Sequence, residues 1–343
     1  MRAIESGVSI PLSSVKPLDG QVRYRAFCVQ AMRQALARGP TVRRDRSPVS
    51  GAALEPFGSV EGLEYRRCPD TDSLFLAELP EAATWARLLR EVAQQRFAPA
   101  GDDSQLTQLR ADHVYAPKLE WIQDTLRMHG LQRPSLLEAA TPPSAMSRLL
   151  EDSGRFSAVT VVDEMALAHG APAGPGAGPA EVVMLLESLD RVDDPRGLLE
   201  GVARRLPEGG LVFATALVSS GFDMAVLGLD NLYLCPPDRT NCFSLSGLAR
   251  LLIEAGFGLI EVSTPGVLDV EVVQAHLHRD PTIRLSLFER QLIGSTDAAR
   301  EQLQAFLQRG GLSSFARVVA KKLAAAGDAG THSKRNQEGK VTR

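Results

Sequence analysis

The chain has 343 residues, enough for one large domain and a smaller one whose cores need neither a disulfide nor a metal staple. Its 38 lysines and arginines against 41 aspartates and glutamates leave a formal charge of -3, which gives the whole molecule no electrostatic reason to seek nucleic acid or an anionic membrane. The four cysteines, Cys28, Cys68, Cys235 and Cys242, form no C-x-x-C pair, the first residues lack the apolar core of a secretory signal, and no apolar run approaches the roughly 20 residues of a membrane span, so a reducing, cytoplasmic setting is expected.

Residues 1–60 pair a helical stretch at 24–37 with GPTVRRDRSPVSG, whose Arg, Ser, Pro and Gly content predicts a flexible, solvated linker. From residue 61, EGLEYRRCPDTDSLFLAEL sets β-branched, aromatic and leucine positions among turn residues and predicts short strands or a hairpin. A helix follows at 80–95, with Trp85, Leu88, Leu89 and Val92 at helical spacing, and after FAPAGDDS a second helical run reaches Met128. Residues 61–130 therefore read as a small α+β module on the cap or substrate side.

Past Gly130, short apolar strands alternate with amphipathic helices, the pattern of a parallel sheet covered on both faces. Strands are predicted at 135–139, 158–162, 181–186, 211–215, 259–263 and 315–320, with helices such as 195–206 and 244–255 between them, the latter stopped by Gly256. This predicts a doubly wound, Rossmann-like α/β domain over 131–323. The polar, small-residue tail at 324–343 predicts disorder.

The stretch AEVVMLLESLDRVDDPRGLLEGVARRLPEGGLVFAT resembles the fourth strand, following helix and fifth strand of class I S-adenosylmethionine-dependent methyltransferases, with Glu187 at the acidic position past the strand and Glu208-Gly209-Gly210 at the turn before the next. Further on, the chain is similar to a bacterial subgroup whose pattern runs P-P-x-H-x-N-x-F-S, then L-L-x-x-A-G-F, then T-P-G-x-L-D-V. That resemblance covers about residues 115–322 and implies the methyltransferase fold, S-adenosylmethionine as cofactor, and a carbohydrate or other small molecule as methyl acceptor. It also implies cofactor contacts at Glu138, Ala139, Asp163 and Glu187. In the family a G-x-G-x-G loop clears room for the ligand beside the backbone, and an acid ending the second strand binds the ribose hydroxyls.

Here the loop reads LLEAATPPSAMSRLL. Glu138 keeps the opening acid, but Ala139, Ala140, Pro142 and Pro143 fall where glycines are expected. Proline fixes φ near roughly -65° and deletes an amide donor, so the pair removes both bend and hydrogen bonds from the loop. Asp163 stands 25 positions after Glu138, where the ribose acid is expected, and an aspartate ending a strand equally suits a helix cap. Between Asp163 and Glu181, GAPAGPGAGP is too short for the family's helix and third strand.

Methyl transfer to a hydroxyl or amine commonly needs a group to manage the acceptor's proton. The two histidines of the subgroup's pattern are replaced by Arg191 and Arg239, which cannot accept a proton; Asp190, Asp238 and Asn241 remain as candidates to orient a substrate. YRRCPDTDSLF resembles the second knuckle of the zinc ribbon that members often carry, but Cys68 alone cannot hold zinc, so the ribbon's shape would rest on Tyr65, Leu74 and Phe75. The only paired histidines, His276 and His278, point apart on a helix, and no metal is expected.

Two functions are consistent with these residues. One is an active methyltransferase acting on a carbohydrate or other small acceptor. The other is a catalytically silent relative, a pseudoenzyme that keeps the scaffold to bind a protein partner, a glycan or a nucleotide-like or other small-molecule ligand. The losses fall together on cofactor and proton-handling positions while scaffold landmarks survive, which favours the silent reading.

Overall fold

The computed structural model describes residue 12 and residues 18–97, 108–141, 144–171 and 178–324. Pro142 and Pro143, most of GAPAGPGAGP, most of FAPAGDDS and the tail past Ala324 lie outside the described residues, so what the sequence predicts of them is untested.

Helix α1 (Leu18–Arg38) leads into strand β1 (Thr41–Arg43). Strands β2 (Glu55–Val60), β3 (Leu63–Arg67) and β4 (Leu74–Leu76) then run antiparallel, and β5 (Glu78–Pro80) returns to pair with β1. The predicted hairpin is β3 and β4. Helix α2 (Ala82–Phe97), a π-helical turn at Ala111–Tyr115 and helix α3 (Ala116–Met128) complete the N-terminal half.

The second half runs β6 (Ser135–Ala139), α4 (Ala145–Asp152), β7 (Ala158–Val162), α5 (Glu164–Ala168), β8 (Val182–Leu186), α6 (Ser188–Arg191), α7 (Pro195–Arg205) and β9 (Leu211–Leu217). It continues through α8 (Phe222–Leu227), β10 (Asn241–Cys242), α9 (Leu245–Glu254), β11 (Phe257–Ser263), α10 (Asp269–Arg279), α11 (Leu287–Ile293), α12 (Asp297–Arg309) and β12 (Phe315–Lys322). All six predicted strands form one sheet in the order β11-β12-β9-β8-β6-β7. Strands β9, β8, β6 and β7 are parallel, while β12 lies antiparallel between β11 and β9. Among the described residues no strand continues the sheet beyond β7.

Strand β8 is apolar throughout because both of its faces are covered. Val182 and Met184 pack against Ile122 and Leu126 of α3 and Leu150 of α4, whereas Val183 and Leu185 join a core with Leu198 and Val202 of α7. That second core runs without a break into the N-terminal module through Tyr65, Phe75 and Trp85. Hydrogen bonds fasten the same seam. Strand β4 pairs with β10, the Tyr65 hydroxyl donates to the Arg239 carbonyl at 2.7 Å, and Trp85 Nε1 donates to the Arg191 carbonyl at 3.0 Å. Among the described residues no helix is long and apolar enough to cross a membrane.

The GPTVRRDRSPVSG stretch departs from the expected solvated linker. It supplies β1, buries Ser47 and Val49, and sends Arg44 Nη1 to Asn241 Oδ1 at 2.6 Å, with Nη2 on the Asp193 carbonyl. Burial lowers the Arg44 guanidinium to about 10, against the opposing pull of Asp193 and Asp194. The partners that order this stretch lie far along the chain, which is why its local composition does not reveal them.

The entry to β12 depends on close backbone contact. A Cβ on Gly221 would overlap the main chain of Ser314, whose amide and hydroxyl are held by Asp269 and Asp223. Gly221→Ala is therefore expected to cost about 1–3 kcal/mol of unfolding free energy in urea; an unchanged midpoint would show that this contact relaxes freely.

Candidate functional site

The carboxyl ends of β6, β7 and β8 form the crest at which parallel α/β sheets bind ligands. Glu138, next to last in β6, is 2% exposed; its Oε1 accepts from the Ser144 hydroxyl at 2.7 Å, and its Oε2 is buried without a hydrogen-bond partner. Burial pushes this carboxyl up to about 7, the Ser144 bond opposes the rise, and the nearby Glu164 charge adds to it. Ala139 is fully buried, and its carbonyl accepts from the Ser188 hydroxyl at 2.6 Å.

Asp163 acts as a helix cap. Its Oδ1 accepts from the amides of Met165 at 2.9 Å and Ala166 at 3.2 Å, starting α5. Beside it, the Thr141 hydroxyl donates to Glu164 Oε1 at 2.7 Å, and Arg191 Nε stands 3.7 Å from the same oxygen. Glu187 ends β8 in a left-handed conformation, φ 59°, held by its amide donating to the Thr215 carbonyl at 2.9 Å. Its Oε2 accepts from Arg239 Nη2 at 2.6 Å, and its Oε1 is 4.0 Å from Lys118 Nζ.

The three residues proposed from sequence to orient a substrate take different places. Asp190 is fully buried; its Oδ2 accepts from the Leu217 amide at 3.0 Å and faces Arg239 Nε at 3.5 Å. Burial pushes its carboxyl up to about 7, with Arg239 pulling the other way. Asp238 Oδ2 accepts from the Tyr24 hydroxyl of α1 at 2.6 Å. Asn241 donates both amide hydrogens, to the carbonyls of Leu189 and Val192 at 2.8 Å each, and accepts from Arg44.

Glu187 and Asp190 thus share one cation, Arg239, and the neighbouring Asp238 charge adds to the attraction. Burial by itself would lower the Arg239 guanidinium, but the three carboxylates together raise it, so it stays charged. Asn241 instead braces the end of α6 against the N-terminal module. Residue patterns did not point to Thr141, Glu164, Ser188 or Lys118. Glu164 and Ser188 carried a weak cue, each lying one position beyond a predicted strand-end acid, whereas Lys118 and Thr141 carried none. The histidine pair separates as its spacing predicts, with His276 buried and bonded to the Leu232 amide and His278 exposed.

Glu138 makes stability depend on pH. Its folded pKa lies above the ordinary 4.5, so its contribution is fully present below about 4.5 and is lost as pH rises through about 7. Glu138→Gln should flatten that fall and leave the variant more stable at pH 8 by on the order of 2 kcal/mol. Asp190, shifted in the same direction, keeps part of the slope. Unfolding curves at a series of pH values check this, and an undiminished slope in the variant would count against it.

The profile of a family described as a methyltransferase domain matches residues 83–262, more than half of the chain. Among solved structures, a Galdieria sulphuraria protein assigned as a sarcosine dimethylglycine methyltransferase is 15% identical, with a TM-score of 0.38 over 61% of this chain and 86% of its own. A Thermotoga maritima SAM-dependent methyltransferase is 14% identical, with a TM-score of 0.36 over 63% and 93%. The Haemonchus contortus phosphoethanolamine N-methyltransferase 2 is 14% identical, with a TM-score of 0.36 over 60% and 53%. No curated protein matches the chain. The family profile begins beyond the ribbon-like segment, whose zinc-ribbon resemblance gains no support from it; among the described residues no group of three or more His, Cys, Asp or Glu could hold a metal.

Proposed function

The chain belongs to the methyltransferase-domain family, and on that premise we propose that its own side chains close the cofactor seat, so that it serves as a silent, methyltransferase-like binding protein. S-adenosylmethionine is the cofactor that membership implies. The observation that carries the reading is Arg239, which stands where the subgroup's pattern has histidine and holds Glu187 at 2.6 Å while facing Asp190 at 3.5 Å.

Three further contacts support it. Ser188 bonds the Ala139 carbonyl, Thr141 bonds Glu164, and Asp163 spends one oxygen capping α5. The sulfonium nucleotide's amino-acid and ribose groups would have to displace these bonds, worth about 0.5–1.5 kcal/mol each and more where a charge is involved, which supports the closed reading.

Proton handling points the same way. Arginine cannot take a proton from an acceptor. The two carboxyls poised near neutrality, Glu138 and Asp190, are 2% and 0% exposed, so neither is presented to a carbohydrate or other small-molecule hydroxyl. What remains is a scaffold for a protein partner or a small ligand.

Calorimetric titration of the full chain with S-adenosylmethionine tests this. No saturable heat is expected up to millimolar ligand, and submillimolar binding would return the chain to the active methyltransferases.

A further inference from the structure

Between α3 and β12, on the α3-facing side of the crest, two cations and a hydroxyl carry donor capacity that their neighbours do not fill. Lys118 is 7% exposed, and among the described residues its ammonium makes no hydrogen bond; it lies 5.3 Å from the centre of the Phe315 ring and 4.0 Å from Glu187 Oε1. Arg317 follows Phe315 by two positions on β12 and so shares its face of the sheet. Its guanidinium lies over the Trp121 ring at 5.1 Å, and its Nε is buried without a partner. Thr215 is the direct cross-strand neighbour of Arg317, and its hydroxyl is also buried without a partner.

Lys118 and Trp121 are three residues apart on α3, which sets them on one helix face above Phe315 and Arg317. Carboxylates do not fill the gap. Glu187 is engaged by Arg239, and Glu261, although it attracts Arg317, accepts from Trp121 Nε1 at 3.2 Å and from the Ser263 hydroxyl at 2.8 Å. Burial lowers the Lys118 ammonium; Glu187 opposes this, while the positive charges of Arg317, Arg239 and Arg110 add to it. A buried guanidinium Nε and a buried hydroxyl without acceptors, beside a lysine 4.0 Å from Glu187 Oε1, carry a desolvation cost that a bound anion would offset.

We propose that Lys118, Arg317 and Thr215 form a binding site for the phosphate group of a small ligand. An ammonium, a guanidinium and a hydroxyl on three different elements offer more donors than one carboxylate can use, which suits a dianion with three terminal oxygens. A planar carboxylate, with two oxygens, is matched by one bidentate arginine and would leave the other donors unmet. Phe315, Arg317 and Trp121 are only partly buried, so the Arg317 side of the site meets solvent, while Lys118 and Thr215 lie deeper. The inference does not depend on whether the cofactor seat is closed, and its readout involves no methyl transfer.

The test is titration of the full chain with inorganic phosphate and with phenyl phosphate, followed by calorimetry and thermal unfolding. Saturable binding and a phosphate-dependent rise in Tm are expected, with affinity weakened at least tenfold by Lys118→Met or Arg317→Met, and with sulfate competing but acetate not. Tighter binding of phenyl phosphate assigns an ester, and tighter binding of inorganic phosphate assigns the free ion; both support the site. In phosphate-free buffer Lys118→Met should melt no lower than the parent, because it removes a buried charge, whereas a lysine serving only the fold would lower Tm when lost. Absence of saturable binding, unchanged affinity in both variants, competition by acetate as strong as by phosphate, or a lower Tm for Lys118→Met without phosphate would each overturn the proposal.

Discussion

One guanidinium, that of Arg239 with its side chain 13% exposed, organises the crest of the sheet. Arg239 reaches Glu187 at the end of β8 and Asp190 in α6, and Asp190 is bonded in turn to the amide of Leu217 in β9. Its carbonyl receives the Tyr65 hydroxyl, and its neighbour Asp238 receives the Tyr24 hydroxyl, so the residues that bridge the crest also seat the N-terminal module. Removing one partner of a fully buried network typically costs about 3–5 kcal/mol, and the cost is smaller where, as at Glu187, the side chain is 29% exposed and water screens the charge.

The landmarks that identify the family in the sequence have structural work that requires no cofactor. Asp269, in the T-P-G-x-L-D-V segment, accepts from the Ser314 amide at 2.6 Å, the Ser313 hydroxyl at 2.6 Å and Gln304 at 2.7 Å, fixing the start of β12. Ser244, at the end of the pattern that contains Asn241, caps α9 through the Gly247 amide at 3.0 Å. Gly209 and Gly256 hold turns at φ of 81° and 87°, which a Cβ would strain. A chain can lose methyl transfer and still need every one of these residues, which explains why recognition from sequence survives where the loop glycines do not.

The sheet was legible because its strands are short apolar runs between amphipathic helices, and that pattern is written locally. Strand β2 was not, since Pro56 and Gly58 interrupt it and most of its positions are exposed, leaving no alternation to read. The strand-end acids Glu138, Asp163 and Glu187 were found because strand ends can be located, but their bonding partners, Ser144, the α5 amides and Arg239, appear only once the chain is folded. Lys118, Thr215 and Arg317 carried no cue at all: they come from three elements spread over some two hundred residues, and each resembles an ordinary core or surface position in its own segment.

An arginine in place of a histidine changes both charge and reach. Histidine can pass a proton and leave Glu187 open, whereas arginine stays charged and engages two carboxylates at once. The most direct test of the proposed closure is a double-mutant cycle on urea unfolding with Glu187→Ala, Arg239→Ala and the pair. A coupling of about 1.5–3 kcal/mol between the two residues is expected; additivity within about 0.5 kcal/mol would contradict the closure of the crest by Arg239.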